Sequence, residues 1–139
     1  MKKIGFASIV LVITVVLFSA CGKKINFAVS PVVPAAKGVV KVKKDKNNNY
    51  ALDISVLNLA EPKNLTPSKD HYVVWLETES NGSKNLGRIS TSSGLFSSSL
   101  KASLHAVTTF KPKYIFITAE NNDVGQYPGN MIVLRSNDF

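Results

Sequence analysis

Along most of this chain apolar and polar side chains alternate one by one, in short runs broken by turn residues. No stretch beyond residue 35 carries the apolar stripe of a helix. A strand sends successive side chains to opposite faces, so such a run belongs in a sheet with one buried and one wet face. Gly38, Val40 and Val42 are expected to point inward while Val39, Lys41 and Lys43 point out. After a turn over residues 44–49, Tyr50, Leu52, Ile54 and Val56 alternate with Ala51, Asp53 and Ser55. These two runs predict a hairpin. Two later runs break the rule: HYVVWLE at 71–77 and KYIFITAE at 113–120 are apolar on both faces, as central strands covered on two sides are.

Shorter strands are expected at 85–89, 95–104 and 131–134. In the serine-rich 95–104 run, Phe96, Ser98, Leu100, Ala102 and Leu104 form one face, and Leu95, Ser97, Ser99, Lys101 and Ser103 form the other, as in an edge strand. About seven strands in about a hundred residues, each bounded by turn signals, predict an all-β fold: an immunoglobulin-like antiparallel β-sandwich, with Trp75 as its core aromatic.

The N-terminal segment obeys different rules. Met1, Lys2 and Lys3 form a cationic start, residues 4–18 are uncharged and mostly apolar, and small residues Ser19 and Ala20 precede Cys21. The apolar stretch is too short for a comfortable membrane span, which takes about 20 residues. Leu17-Phe18-Ser19-Ala20-Cys21 resembles the lipobox of bacterial lipoproteins, with Phe18 where Leu is usual. The resemblance implies cleavage after residue 20 and a lipid thioether on Cys21, which would hold the remainder on the outer side of a membrane. Cysteine usage agrees: exported chains usually pair their cysteines, and the single Cys here has no partner. Stable anchoring takes more than one acyl chain, because each buried methylene contributes only about 0.8 kcal/mol.

The expected organisation is a signal peptide at 1–20, lipidated Cys21 with a tether over 21–34, and the sandwich over 35–139. Residues 22–34, GKKINFAVSPVVP, carry two prolines and no helical period, and are expected to hold the domain roughly 20 Å from the membrane as a flexible coil. No acidic cluster follows Cys21, which favours a periplasm-facing location.

Of the formal net charge of +8, the excess in the mature chain lies next to the anchor. Lys23, Lys24, Lys37, Lys41, Lys43, Lys44 and Lys46 stand against Asp45, whereas residues 47–139 balance acids with bases. Lys41, Lys43 and Lys44 are expected to face the membrane, where anionic headgroups attract lysine. A lysine-guarded edge strand gives the same pattern. Nucleic acid is not an expected partner, since no recognition motif accompanies the charge.

LDISVLNL from Leu52, a proline-containing loop, YVVWLET, NLGRI, and ITAE followed by Pro128 resemble, in order and spacing, the extracytoplasmic C-terminal domain of anti-sigma-K factors. The resemblance implies a sandwich outside the membrane that receives or transmits an envelope signal. The cytoplasmic zinc-binding domain and transmembrane helix of those proteins have no counterpart here, so it does not extend to control of a sigma factor.

Catalytic patterns are thin. The two histidines, His71 and His105, lack HExxH or paired-ligand spacing, and no GxSxG elbow is present. Residues 45–49 begin like a calcium loop, but Tyr50 stands for the required Gly and Val56 for the bidentate Glu. No enzyme activity and no cofactor are expected. Binding is expected instead on loops 58–70 and 121–130, stiffened by Pro62, Pro67 and Pro128, with Glu120 and Asp123 as polar contacts. The partner class is an envelope protein. The alternative, a small glycan or lipid ligand, would call on Tyr72, Tyr114 and Tyr127.

Overall fold

Two antiparallel sheets pack face to face in the computed structural model, which describes residues 22–93, 95, 99–121 and 125–139. Among the described residues there are nine strands: β1 (Lys23–Asn26), β2 (Lys37–Lys44), β3 (Tyr50–Leu57), β4 (His71–Thr78), β5 (Ser83–Ile89), β6 (Thr91–Ser93), β7 (Leu100–Thr108), β8 (Pro112–Glu120) and β9 (Ile132–Arg135). One sheet has the order β1-β2-β3-β7-β6 and the other β5-β4-β8-β9. The fold is thus an all-β sandwich.

The predicted hairpin is β2–β3, paired from Lys37↔Leu57 to Lys44↔Tyr50. Its turn is built by Asp45, whose carboxylate accepts the backbone N–H of Asn49 at 2.9 Å, the Asn49 amide at 3.0 Å and the backbone N–H of Asn47 at 2.7 Å. These bonds, those from Asn49 foremost, hold the Asp45 carboxyl below its usual range. The Asp45 oxygens, which stand where a calcium loop would begin, are taken by N–H groups of the turn itself.

Alternation decides the faces as expected on β2 and β3: Val40, Leu52, Ile54 and Val56 are buried, while Lys41, Lys43, Asp53 and Ser55 are exposed. From the opposite sheet Tyr72, Val74, Leu76, Ile115 and Ile117 close the core. β4 and β8 are buried on both faces, again as their runs predict. Trp75 is the exception. It is fully buried, but alternation places it with Val73 and Phe116 in a second cluster on the outward side of the four-stranded sheet, while Tyr72 takes the core side of β4.

Residues 95–104 do not form one strand. The chain makes β6, then β7, which starts at Leu100 and runs on to Thr108; Leu95 lies 95 % exposed between them. Phe96 and Ser98 are outside the described residues. Within β7 the predicted phase holds, with Ala102 buried and Lys101 and Ser103 exposed.

Residues 22–34 depart furthest from expectation. The supposed tether is part of the sandwich: β1 pairs with β2 from Lys23↔Val42 to Asn26↔Val39, and Phe27 bridges to Ser136. Ile25 fills the core. Ser30, buried, donates to the Val133 carbonyl at 2.5 Å and accepts the N–H groups of Val32 and Val33, which seats Val33 in the core between Pro31 and Pro34. The prolines punctuate a crossover that is fastened at Ser30 and not a free linker. The sandwich therefore begins at Lys23, which removes the expected spacer beyond Cys21.

A fragment starting at Ala35 loses Ile25 and Val33 from the core. Burying an aliphatic side chain contributes about 1.5–3 kcal/mol, so residues 35–139 should be at least about 3 kcal/mol less stable than residues 22–139. Equal urea midpoints and slopes for the two would show that β1 adds nothing to the core.

Candidate functional site

Antiparallel pairing of β4 with β8 sets His71 opposite Glu120 and Trp75 opposite Phe116 on the outward side of the four-stranded sheet. Two neighbouring rows of large side chains meet there. The rings of Trp75 and Phe116 stack with centroids 6.5 Å apart, and Tyr114 tilts against Phe116 at 5.9 Å. The Arg135 guanidinium, one strand over on β9, covers the Tyr114 ring at 3.8 Å.

At the end of this aromatic row sits Glu120. Its Oε1 accepts the indole N–H of Trp75 at 3.3 Å, the Thr118 hydroxyl at 2.5 Å and the backbone N–H of Gly129 at 3.0 Å. Trp75 also donates to Thr118 Oγ1 at 3.0 Å. Partial burial opposes the charge on Glu120, but the bonds from Thr118, Gly129 and Trp75, with His71 nearby, outweigh it and hold the carboxyl below its ordinary range. A Cβ at position 129 would sit 3.0 Å from Glu120 Cγ, so any larger residue there would push the carboxylate by a few tenths of an ångström.

One carboxylate oxygen thus ties the outer face of the sheet to the segment that leads into β9. The other predicted loop arrives at the same place. The Asp70 N–H donates to the Glu120 carbonyl at 3.0 Å, and the Tyr72 hydroxyl, whose pKa burial pushes up to about 12, donates to the Ala60 carbonyl at 2.8 Å. Between the loops lies an open groove of about 560 Å³, walled by Pro67 and Lys69 on one side and by Glu120, Asn121, Gly129, Asn130 and Met131 on the other. A second recess of about 220 Å³ adjoins Glu61, Asp70, His71 and Thr91. Among the described residues His71 Nε2 is buried without a hydrogen-bond partner.

The structure therefore brings Glu120 and both proline-containing loops together. Pro128 is half-buried and precedes the Gly129 that Glu120 holds. Asp123 and Cys21 lie outside the described residues. Lys41 and Lys43 are exposed on the outward side of β2, and Lys44, at its end, places Nζ 5.5 Å from the Tyr50 ring centroid. Of the three tyrosines, Tyr72 is committed to the core and Tyr114 lies under Arg135; Tyr127 is 82 % exposed, two residues before Gly129 in the loop. Trp75, Thr118 and Gly129 were not expected to bear on the site. The two-residue step from Thr118 to Glu120 was the available signal, because it puts both on one face of β8. Among the described residues no three of His, Cys, Asp and Glu are grouped as a metal would require. The chain matches no family model, no curated protein and no solved structure.

Two outcomes follow from this geometry. Trp75→Ala should destabilise by about 3–5 kcal/mol despite its outward position, because it empties a fully buried site. A loss below about 1 kcal/mol in urea unfolding would mean the indole adds little packing energy. Glu120→Gln should cost about 1 kcal/mol at neutral pH, since the amide still accepts but without charge assistance. The sign with pH is fixed by the lowered pKa: the carboxylate's contribution is full above its ordinary 4.5 and disappears as pH falls through the lower folded value. The gap between wild type and variant should therefore close in acid; a gap that persists unchanged would show that the charge is not what Glu120 supplies.

Proposed function

We propose that this chain is a membrane-anchored lipoprotein of the cell envelope, an immunoglobulin-like module that contacts a protein partner through the loop end organised by Glu120. The observation that carries this is the convergence of loops 58–70 and 121–130 on one residue, Glu120, the first through its backbone carbonyl and the second through its carboxylate. Proline-stiffened loops fixed to a rigid sheet lose little entropy on binding, and they flank an exposed aromatic, Tyr127.

The topology supports the immunoglobulin-like reading. With β1 set aside as an added edge strand, β2-β3-β7-β6 facing β5-β4-β8-β9 follows the ABED sheet of that fold packed on C, F and G with one further C′ strand. The motifs that resemble the anti-sigma-K extracytoplasmic domain fall on β3, β4, β5 and β8, and that likeness supports a signal-receiving role. The lipobox-like run ending at Cys21 supports the anchor and a periplasm-facing location.

The loop end lies away from the start of the described chain. Gly22 packs beside Val42 and Lys43, near the β2–β3 turn, whereas β3 ends at Leu57 and β8 at Glu120 at the opposite end. Partner contact there does not compete with the anchor.

Tyr127→Ala, in the full-length protein in its native membrane, should leave folding unchanged and abolish crosslinking to the partner captured by wild type. Undiminished capture by that variant and by one with loop 125–130 replaced by Gly and Ser would place the contact elsewhere.

A further inference from the structure

We propose that the outer face of the five-stranded sheet lies flat on a bilayer of anionic phospholipid, so that the domain rests on its side. This rests on the lipid anchor at Cys21 proposed above and goes beyond it by assigning the surface and the orientation.

The face is assembled from four strands. Register places Lys24 of β1 opposite Lys41 of β2, Lys41 opposite Asp53 of β3, and Lys37 in line with Leu57 and Lys101 of β7; Lys43 completes the set. All five lysines are exposed. Among the described residues Asp53 is the one acid on this face, and its carboxylate is engaged 2.6 Å from His105 Nδ1. Lys24 directly opposite Lys41 sets two like charges side by side, which costs stability unless an anion lies over them. Between the lysines, Leu57 and Val107 are 45 % and 61 % exposed, an apolar fraction that suits a headgroup region better than open water.

The chain path adds an independent constraint. Because the sandwich begins at Lys23, one residue after Gly22, no spacer separates it from a lipid on Cys21, and the β1 edge is held at the bilayer. Two orientations remain. Standing on the Gly22 end would present Lys43 but lift Lys37 and Lys101 by about 20 Å, six residues of strand, well beyond the Debye length of about 8 Å. Lying flat brings all five within reach, each strengthening association about fivefold. The opposite sheet, with the Glu120 groove, then faces the aqueous space.

The test is lysine footprinting on the mature lipidated protein in vesicles of phosphatidylcholine, with and without phosphatidylglycerol. Intact mass first reports the lipid: an unmodified Cys21 removes the anchor and this proposal with it. With Cys21 lipidated, Lys24, Lys37, Lys41, Lys43 and Lys101 should acetylate several-fold more slowly on the anionic vesicles only, while Lys63 and Lys113 are unaffected. High salt should restore reactivity. Lys37 and Lys101 remaining as reactive as Lys63 overturns flat docking while leaving the anchor intact. Protection in native envelopes but not on anionic vesicles assigns the face to an acidic protein and also overturns it.

Discussion

The pairing of β4 with β8 is the constraint from which the rest of the molecule follows. Both strands are buried on both faces, so each contributes twice: Tyr72, Val74, Leu76, Ile115 and Ile117 to the core between the sheets, and Val73, Trp75 and Phe116 to the cluster on the outward side. A two-faced strand cannot slip by one residue without exchanging one apolar set for the other, so the outward cluster must be specified by its own contacts. Trp75 does this with its indole N–H, which finds Thr118 and Glu120 only in the observed register. The same bonds fix Glu120, and Glu120 fixes the approach to β9 through Gly129. Packing, register and loop position are thus one connected event.

Legibility in the sequence followed period-two contrast. Where one face is wet, as on β2 and β3, phase and burial were readable residue by residue. Where both faces are apolar, as on β4, the strand was readable but its sides were not: YVVW has no polar residue to mark the outside, and Trp75 is large enough to be taken for the core aromatic. The polar residues that share the indole's phase, His71 and Glu77, stand only at the ends of the run, and it is Thr118 and Glu120 on the partner strand that bond the indole. Glu120 itself was legible as a polar residue ending an apolar strand. Its partners were not, because Gly129 and Trp75 are 9 and 45 residues away along the chain.

The segment 22–34 was misjudged because its strand is too short to display a period. In KKIN a single residue, Ile25, is buried, and a lone apolar residue among lysines is indistinguishable from linker composition. Pro31 and Pro34 then read as a tether. What overrides them is tertiary: the Ser30 hydroxyl satisfies three backbone groups, including the carbonyl of Val133 at the other end of the chain. A crossover fixed by one buried serine carries no sequence signature of its own.

The sheet edges explain why binding is better sought on loops and faces than by strand addition. An open edge offers unpaired N–H and C=O groups to any extended peptide, and each of the four edges here is blunted. β1 is four residues long and begins with two lysines, β6 has three residues and β9 four. The longest, β5, is interrupted where its register with β4 shifts between Val74 and Trp75. There Gly87 adopts a φ of 126°, a conformation that L side chains rarely enter, and its N–H is taken by the Asn85 side chain at 2.8 Å. That bulge withdraws a donor from the edge and twists the strand away from a flat partner. With strand addition disfavoured at every edge, the surfaces left for recognition are the flat lysine face and the loop end, and they lie on opposite sheets. In the proposed orientation the first would meet the bilayer while the second stays clear of it.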